Sequence, residues 1–214
     1  MAKRLFLKAM CAALMATAGI ASTSVQAAGN ILINGDFETL AFTFPGGFQT
    51  LAGGDSTSLP GWVVGLTSVD VILNDGLTNP YGAITGYSVD LSGTPGPGSV
   101  SQTFFATAGE TYDLSFDYWG NFAGGATPGQ LNFTFFGQTS QISVSPLAAG
   151  IGAGATFTAT TTGPQTLTFF NPNQSNSGPT IDNVVLTAVP EPEGYALMLG
   201  GLVAMGAIAR RRSR

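Results

Sequence analysis

The chain has 214 residues, a formal net charge of −5, only 9% charged residues against 44% hydrophobic ones, and no histidine. All seven Lys and Arg residues stand at positions 3, 4, 8, 210, 211, 212 and 214, so residues 28–189 hold ten carboxylates and no basic side chain, a formal charge of −10. That distribution excludes phosphate-reading nucleic-acid binding and histidine-based catalysis or zinc sites, and it argues against adhesion to anionic lipid.

In chain order, Lys3, Arg4 and Lys8 form a basic start, and Ala9 to Ile20 is a short apolar run. Val25-Gln26-Ala27 then places small residues where signal peptidase needs them, which predicts a cleavable secretory signal helix over 1–27, cut after Ala27. The sole cysteine, Cys11, lies within that segment. The mature chain therefore has no disulfide to staple it, and its stability must come from a core, from backbone pairing and from any bound metal.

Residues 28–188 suit one domain with a sizeable core. Short runs rich in β-branched and aromatic residues recur between Gly, Pro and Asn clusters. They predict strands near 31–33, 62–65, 69–73, 86–91, 99–105, 111–118, 130–136, 140–145, 154–160, 165–170 and 180–187. Alternation along Thr111 to Tyr118 sends Tyr112, Leu114, Phe116 and Tyr118 to one face. Leu131, Phe133 and Phe135 share a face likewise, as do Val184 and Leu186 with Asn183 and Val185 opposite. Pro60-Gly61, Asn74-Asp75-Gly76, Pro95-Gly96-Pro97-Gly98 and Gly163-Pro164 supply turn chemistry. No stretch of this part carries helical periodicity with caps. The expected fold is all-β: a single jelly-roll β-sandwich of two antiparallel sheets.

Four stretches in order carry a resemblance: Asn30 to Glu38 (NILINGDFE), Leu59 to Trp62 (LPGW), Gly98 to Asn121 (GSVSQTFFATAGETYDLSFDYWGN) and Gly178 to Leu186 (GPTIDNVVL). Together they resemble the galactose-binding-like jelly rolls of domain-of-unknown-function 642, whose bacterial members with a sorting tail are the choice-of-anchor C proteins. The likeness spans nearly all of residues 30–187. It covers one domain, where plant members typically carry two. Related carbohydrate-binding jelly rolls hold a structural calcium with a first-motif glutamate and a last-motif aspartate, which by position imply Glu38 and Asp182 here. A physical argument runs beside the resemblance. A domain without Lys, Arg or His cannot pair a buried carboxylate with a side-chain cation, which leaves hydrogen bonds, protonation or a metal. Calcium takes carboxylate and carbonyl oxygens with flexible geometry.

Sugar faces stack on aromatic rings. Trp62, inside its Pro-Gly-Trp motif, is expected in the core. Trp119 at a strand end is the better platform, with Tyr81 and its neighbours Asn74, Asp75 and Asn79 as polar contacts. Two carboxylates can hydrolyse a glycoside without histidine. The domain's only glutamates, however, are Glu38, expected to be structural, and Glu110, in a turn. A non-catalytic protein is expected.

The tail, residues 189–214, joins Pro190-Glu191-Pro192, an uncharged run from Tyr195 to Ala209 and the cluster Arg210, Arg211, Arg212. As a helix the run reaches about 22 Å, short for a permanent span of a roughly 30 Å hydrocarbon core. This arrangement resembles the PEP-CTERM sorting signal of Gram-negative bacteria. The resemblance implies recognition by exosortase, a precursor inserted transiently in the inner membrane through a transmembrane-like helix, and removal of the tail. The protein would end at the cell surface or in the extracellular matrix of bacteria that make exopolysaccharide and biofilm. The expected partner is an extracellular polysaccharide, the alternative a structural or adhesive role without a sugar site.

Overall fold

In a computed structural model the described residues are 29–74, 86–120, 129–145, 150–174, 176–189 and 192–212. The expected signal helix and Ala27, together with Tyr81, Pro190 and Glu191, lie outside them. The chain runs through eleven strands: β1 (Phe48–Ala52), β2 (Val63–Leu66), β3 (Ser68–Asn74), β4 (Gly86–Asp90), β5 (Gly98–Ala106), β6 (Thr111–Trp119), β7 (Gly129–Phe135), β8 (Gln138–Val144), β9 (Ile151–Thr158), β10 (Gly163–Phe170) and β11 (Thr180–Val189). One helix, α1 (Pro192–Arg212), follows.

The strands form a six-stranded sheet, β1-β3-β4-β11-β6-β9, and a five-stranded sheet, β2-β5-β10-β7-β8, with every pairing antiparallel. This is the jelly-roll sandwich that the alternating runs imply. The expected inward set is buried: Tyr112, Leu114, Phe116 and Tyr118 from β6, with Val184 and Leu186 from β11. Leu131, Phe133 and Phe135 of β7 meet them from the other sheet, with Leu167 and Phe169 of β10. Phe116 bridges the sheets, edge-on to Phe169 at 4.8 Å and to Phe133 at 5.3 Å between ring centroids. Edge-to-face rings at such distances add to their area burial. Trp62 is 1% exposed, tilted against Phe37, and its indole N–H donates to the Asn34 carbonyl at 2.9 Å.

Ten of the eleven expected strands are present. The run at 31–33 is instead a bend leading into a turn, held by the Leu186 carbonyl, which accepts the Ile31 N–H at 2.8 Å, and by side chains. Leu32 N–H donates to Asn30 Oδ1, and Gln102 both accepts from the Ile33 N–H and donates to the Ile33 carbonyl. The remaining strand, β1, was not expected: it pairs on one side only, with β3, and buries a single side chain, Leu51. Gly163 and Pro164 open β10 rather than forming the turn before it.

The helix corrects a second expectation. Among the described residues no helix is long and apolar enough to cross a membrane. Helix α1 has the length, but Gly200, Gly201, Gly206 and its alanines contribute little transfer energy, and arginines close its last turn. The transmembrane helix inferred from the tail is therefore not supported.

Candidate functional site

The site is built around a β-bulge in β11. Asp182 stands opposite Asp117 of β6, but Val185 stands opposite Ser115, so β11 carries one extra residue between them. Asn183 absorbs the distortion with φ of 52°. Such a bulge re-aims side chains. The N–H of Asn183 donates to Asp182 Oδ1 at 2.6 Å, while its side-chain amide donates to Asp117 Oδ2 at 3.0 Å.

The first motif clamps this bulge from the far end of the sequence. Asn30 Nδ2 donates to the Val184 carbonyl at 2.8 Å, and Asn30 Oδ1 accepts the Leu186 N–H at 2.9 Å. The Val184 N–H in turn donates to the Gly35 carbonyl at 2.8 Å. Gly35 has to be glycine, since a Cβ there would run into the Val184 carbonyl. Asn34 and Phe37 take φ near +53°, and Asn34 ties the loop shut by accepting the Thr39 N–H and donating to the Thr39 carbonyl. The loop thereby delivers Asp36 and Glu38 towards Asp182.

Glu38 and Asp182 are thus brought into one acidic neighbourhood. Glu38 Oε1 accepts the Tyr87 N–H at 2.8 Å, and Gly86 (φ 87°) leaves no room for a Cβ beside that carboxylate. Asp182 is 3% exposed. Burial pushes its carboxyl up to about 7 against the opposing hydrogen bond from Asn183, and the charges of Glu38, Asp117 and Asp36 add to the rise. The donors are all oxygen and strongly acidic, and one is deeply buried without a side-chain cation anywhere in the domain, which fits a hard cation. Among the described residues no three acidic side chains gather closely enough to hold a metal by themselves. Carbonyl oxygens, in which the adjoining loop is rich, would have to complete the shell.

Beside the bulge runs a groove of ≈ 730 Å³ on the outer face of β6, β9 and β11. Asp113, Ser115 and Asp117 of β6, Gly152, Gly154 and Thr156 of β9 and Asn183 of β11 line it. Gly152 pairs with Asp117, Gly154 with Ser115 and Thr156 with Asp113, whose Oδ1 accepts the Thr156 hydroxyl at 2.8 Å. Trp119 lies on this same face two residues beyond Asp117, half-buried, with Gly150 against its indole nitrogen. Trp119, expected at a strand end, is the last residue of β6. Asp113, Asp117 and Asn183 were not singled out beforehand. Their signal was available, because the alternation that buries Tyr112 to Tyr118 turns Asp113, Ser115, Asp117 and Trp119 outward. Glu110 stands just before β6, three positions from Asp113, and its Oε2 accepts the Tyr112 hydroxyl at 2.8 Å.

The fold and this acidic face define the chain as a single-domain jelly-roll protein with its chemistry concentrated on one sheet. The family model described as a protein of unknown function, DUF642, matches residues 30–187, and the chain belongs to that family. No curated protein matches the chain. Among solved structures it is similar to the module TmCBM61, crystallised with β-1,4-galactotriose, at 17% identity over 75% of this chain and 99% of that one, TM-score 0.43. It is also similar to a family 35 carbohydrate-binding module from Clostridium thermocellum, at 11% identity over 65% and 98%, TM-score 0.42. A third is the enzymatically active domain of tailspike protein 4 of bacteriophage CBA120, at 15% identity over 75% of this chain, TM-score 0.43. The chain spans about a fifth (21%) of that tailspike structure.

Proposed function

We propose that this is an exported, non-catalytic protein of the cell surface or extracellular matrix that binds extracellular polysaccharide in the groove of β6, β9 and β11. The observation that carries this reading is the groove itself. Carboxylates, hydroxyls and an amide accept and donate along an open trough, and the half-buried indole of Trp119 stands on the same face. Those are the groups that hold sugar hydroxyls and sugar faces. A domain with ten carboxylates and no basic side chain has no Lys or Arg to pair with a uronate or a sulfate, which favours a neutral or amine-bearing glycan. Calcium held by Glu38 and Asp182 would neutralise the bulge and fix the adjoining wall of the groove. Export follows the signal segment cut after Ala27, and the tail with Pro190, Glu191, Pro192, Arg210, Arg211 and Arg212 is the address read by exosortase.

The test is affinity electrophoresis of the purified protein through gels holding the producing organism's neutral and acidic polysaccharides. Retardation by the neutral polymer that Trp119→Ala and Asp117→Asn weaken supports the reading. Unchanged mobility in every gel removes it.

A second reading, a structural matrix protein without a sugar site, is favoured by one observation. Two sheet edges, β8 and β9, are long, largely exposed and free of charge and proline. Such edges lack the usual guards against strand pairing. Concentration-dependent self-association with no response to glycan is its mark.

A further inference from the structure

The outer face of the six-stranded sheet carries a second acidic pair, in a row that crosses β11 at Thr180, two residues before Asp182. Following the register across the sheet, Thr50 of β1 stands opposite Asp70 of β3, Asp70 opposite Asp90 of β4, Asp90 opposite Thr180 of β11, and Thr180 opposite Trp119 of β6. Directly opposed residues project on the same face with Cβ atoms about 4.5–5.5 Å apart. The row thus sets two aspartates side by side, 7% and 2% exposed, next to a threonine that is fully buried.

Like charges directly opposite destabilise a sheet, and burial out of water makes the pair costlier still. No Lys, Arg or His exists in residues 28–189 to offset it. The carboxylates are held in place: Asp70 Oδ1 accepts the Thr50 hydroxyl at 2.6 Å, and Asp90 Oδ1 accepts the N–H groups of Ser92 and Gly178 at 2.8 and 3.0 Å. A second, independent sign stands beside them. Thr180 Oγ1 is buried and has no hydrogen-bond partner. A buried hydroxyl without a partner is costly and marks a place for an ion or a water.

We propose that Asp70, Asp90 and the Thr180 hydroxyl form an internal binding site for a calcium-class divalent cation, distinct from the Glu38–Asp182 neighbourhood. The site supplies two carboxylates and a neutral oxygen, a hard-oxygen set of the kind calcium accepts in variable geometry. Magnesium prefers strict octahedral geometry and keeps several waters, which so closed a site does not admit. The ion would tie β3, β4 and β11 together where the sheet carries opposed charge. This inference stands apart from the glycan reading and survives its failure.

The experiment is calorimetric titration of the metal-free full chain with calcium, in an Asp182→Asn background that removes the bulge carboxylate. One calcium per chain is expected to remain, weakened at least tenfold by Thr180→Val and abolished by Asp70→Asn, with magnesium failing to compete. Thr180→Val keeps the β-branched shape and removes only the hydroxyl, so its circular dichroism should be native even where Asp70→Asn folds poorly. Terbium in place of calcium should luminesce through Trp119, its register neighbour, and lose that signal in Trp119→Phe. An Asp182→Asn protein that binds no calcium, or one in which Thr180→Val changes nothing, overturns the site. In the first case the two aspartates share a proton instead.

Discussion

The strands of the six-stranded sheet carry Asp70, Asp90, Asp113, Asp117 and Asp182, whereas those of the five-stranded sheet contain no ionisable side chain at all. On the outside of the second sheet, threonines bond one another across strands instead, Thr103 to Thr166 at 3.0 Å and Thr134 to Thr139 at 2.9 Å. Both sheets contribute buried rings to one aromatic core, so the difference is not one of packing. It teaches that this domain separates its tasks by face. A neutral sheet is held by self-satisfied hydroxyl pairs, and a charged sheet tolerates unfavourable carboxylates because they are available to a ligand or an ion.

If the core is shared, truncation on either side should cost the same. Phe116→Ala and Phe169→Ala should each destabilise the domain by about 3–5 kcal/mol, read as loss of denaturation midpoint, and a large inequality would break the symmetry. The faces should separate with pH. Asp182 has its folded pKa raised to about 7 from 3.8. Below pH 4 it is protonated folded or unfolded. Between about 4 and 7 only the unfolded chain releases the proton, so metal-free stability falls as pH rises, by at most about 4 kcal/mol. Asp182→Asn should flatten that slope, calcium should reverse it, and melting curves across pH 3.5–8 check both. Next, Trp119→Ala should weaken glycan binding about tenfold, roughly 1.4 kcal/mol, by affinity electrophoresis. Smallest is Thr139→Val on the neutral face, expected within about 0.5 kcal/mol in stability and without effect on glycan.

Much of this was legible because strands alternate. The run Thr111 to Tyr118 predicts both the buried aromatic row and, by complement, the outward acids. The first motif misled for an identifiable reason: Ile31-Leu32-Ile33 has strand composition, but Asn30 and Gln102 satisfy its backbone from the side, and Asn34 and Phe37 turn it through positive φ. Composition does not encode a partner 69 residues away. Glu38 and Asp182 were placed by resemblance, and their meeting depends on a one-residue bulge that no local pattern announces. Asp70 and Asp90 face each other through register, which a single sequence does not give.

Asn30 is among the first residues of the domain to be synthesised, yet its partners Val184 and Leu186 are among the last, 154 and 156 positions on. The loop holding Asp36 and Glu38 therefore has nothing to lock onto until the final strand arrives. Contacts of such long sequence separation slow folding, and here they make it conditional on completeness. A chain cut short before β11 would lose its clamp, its bulge and its acidic neighbourhood together. The molecule carries in its first motif a check on its own last one.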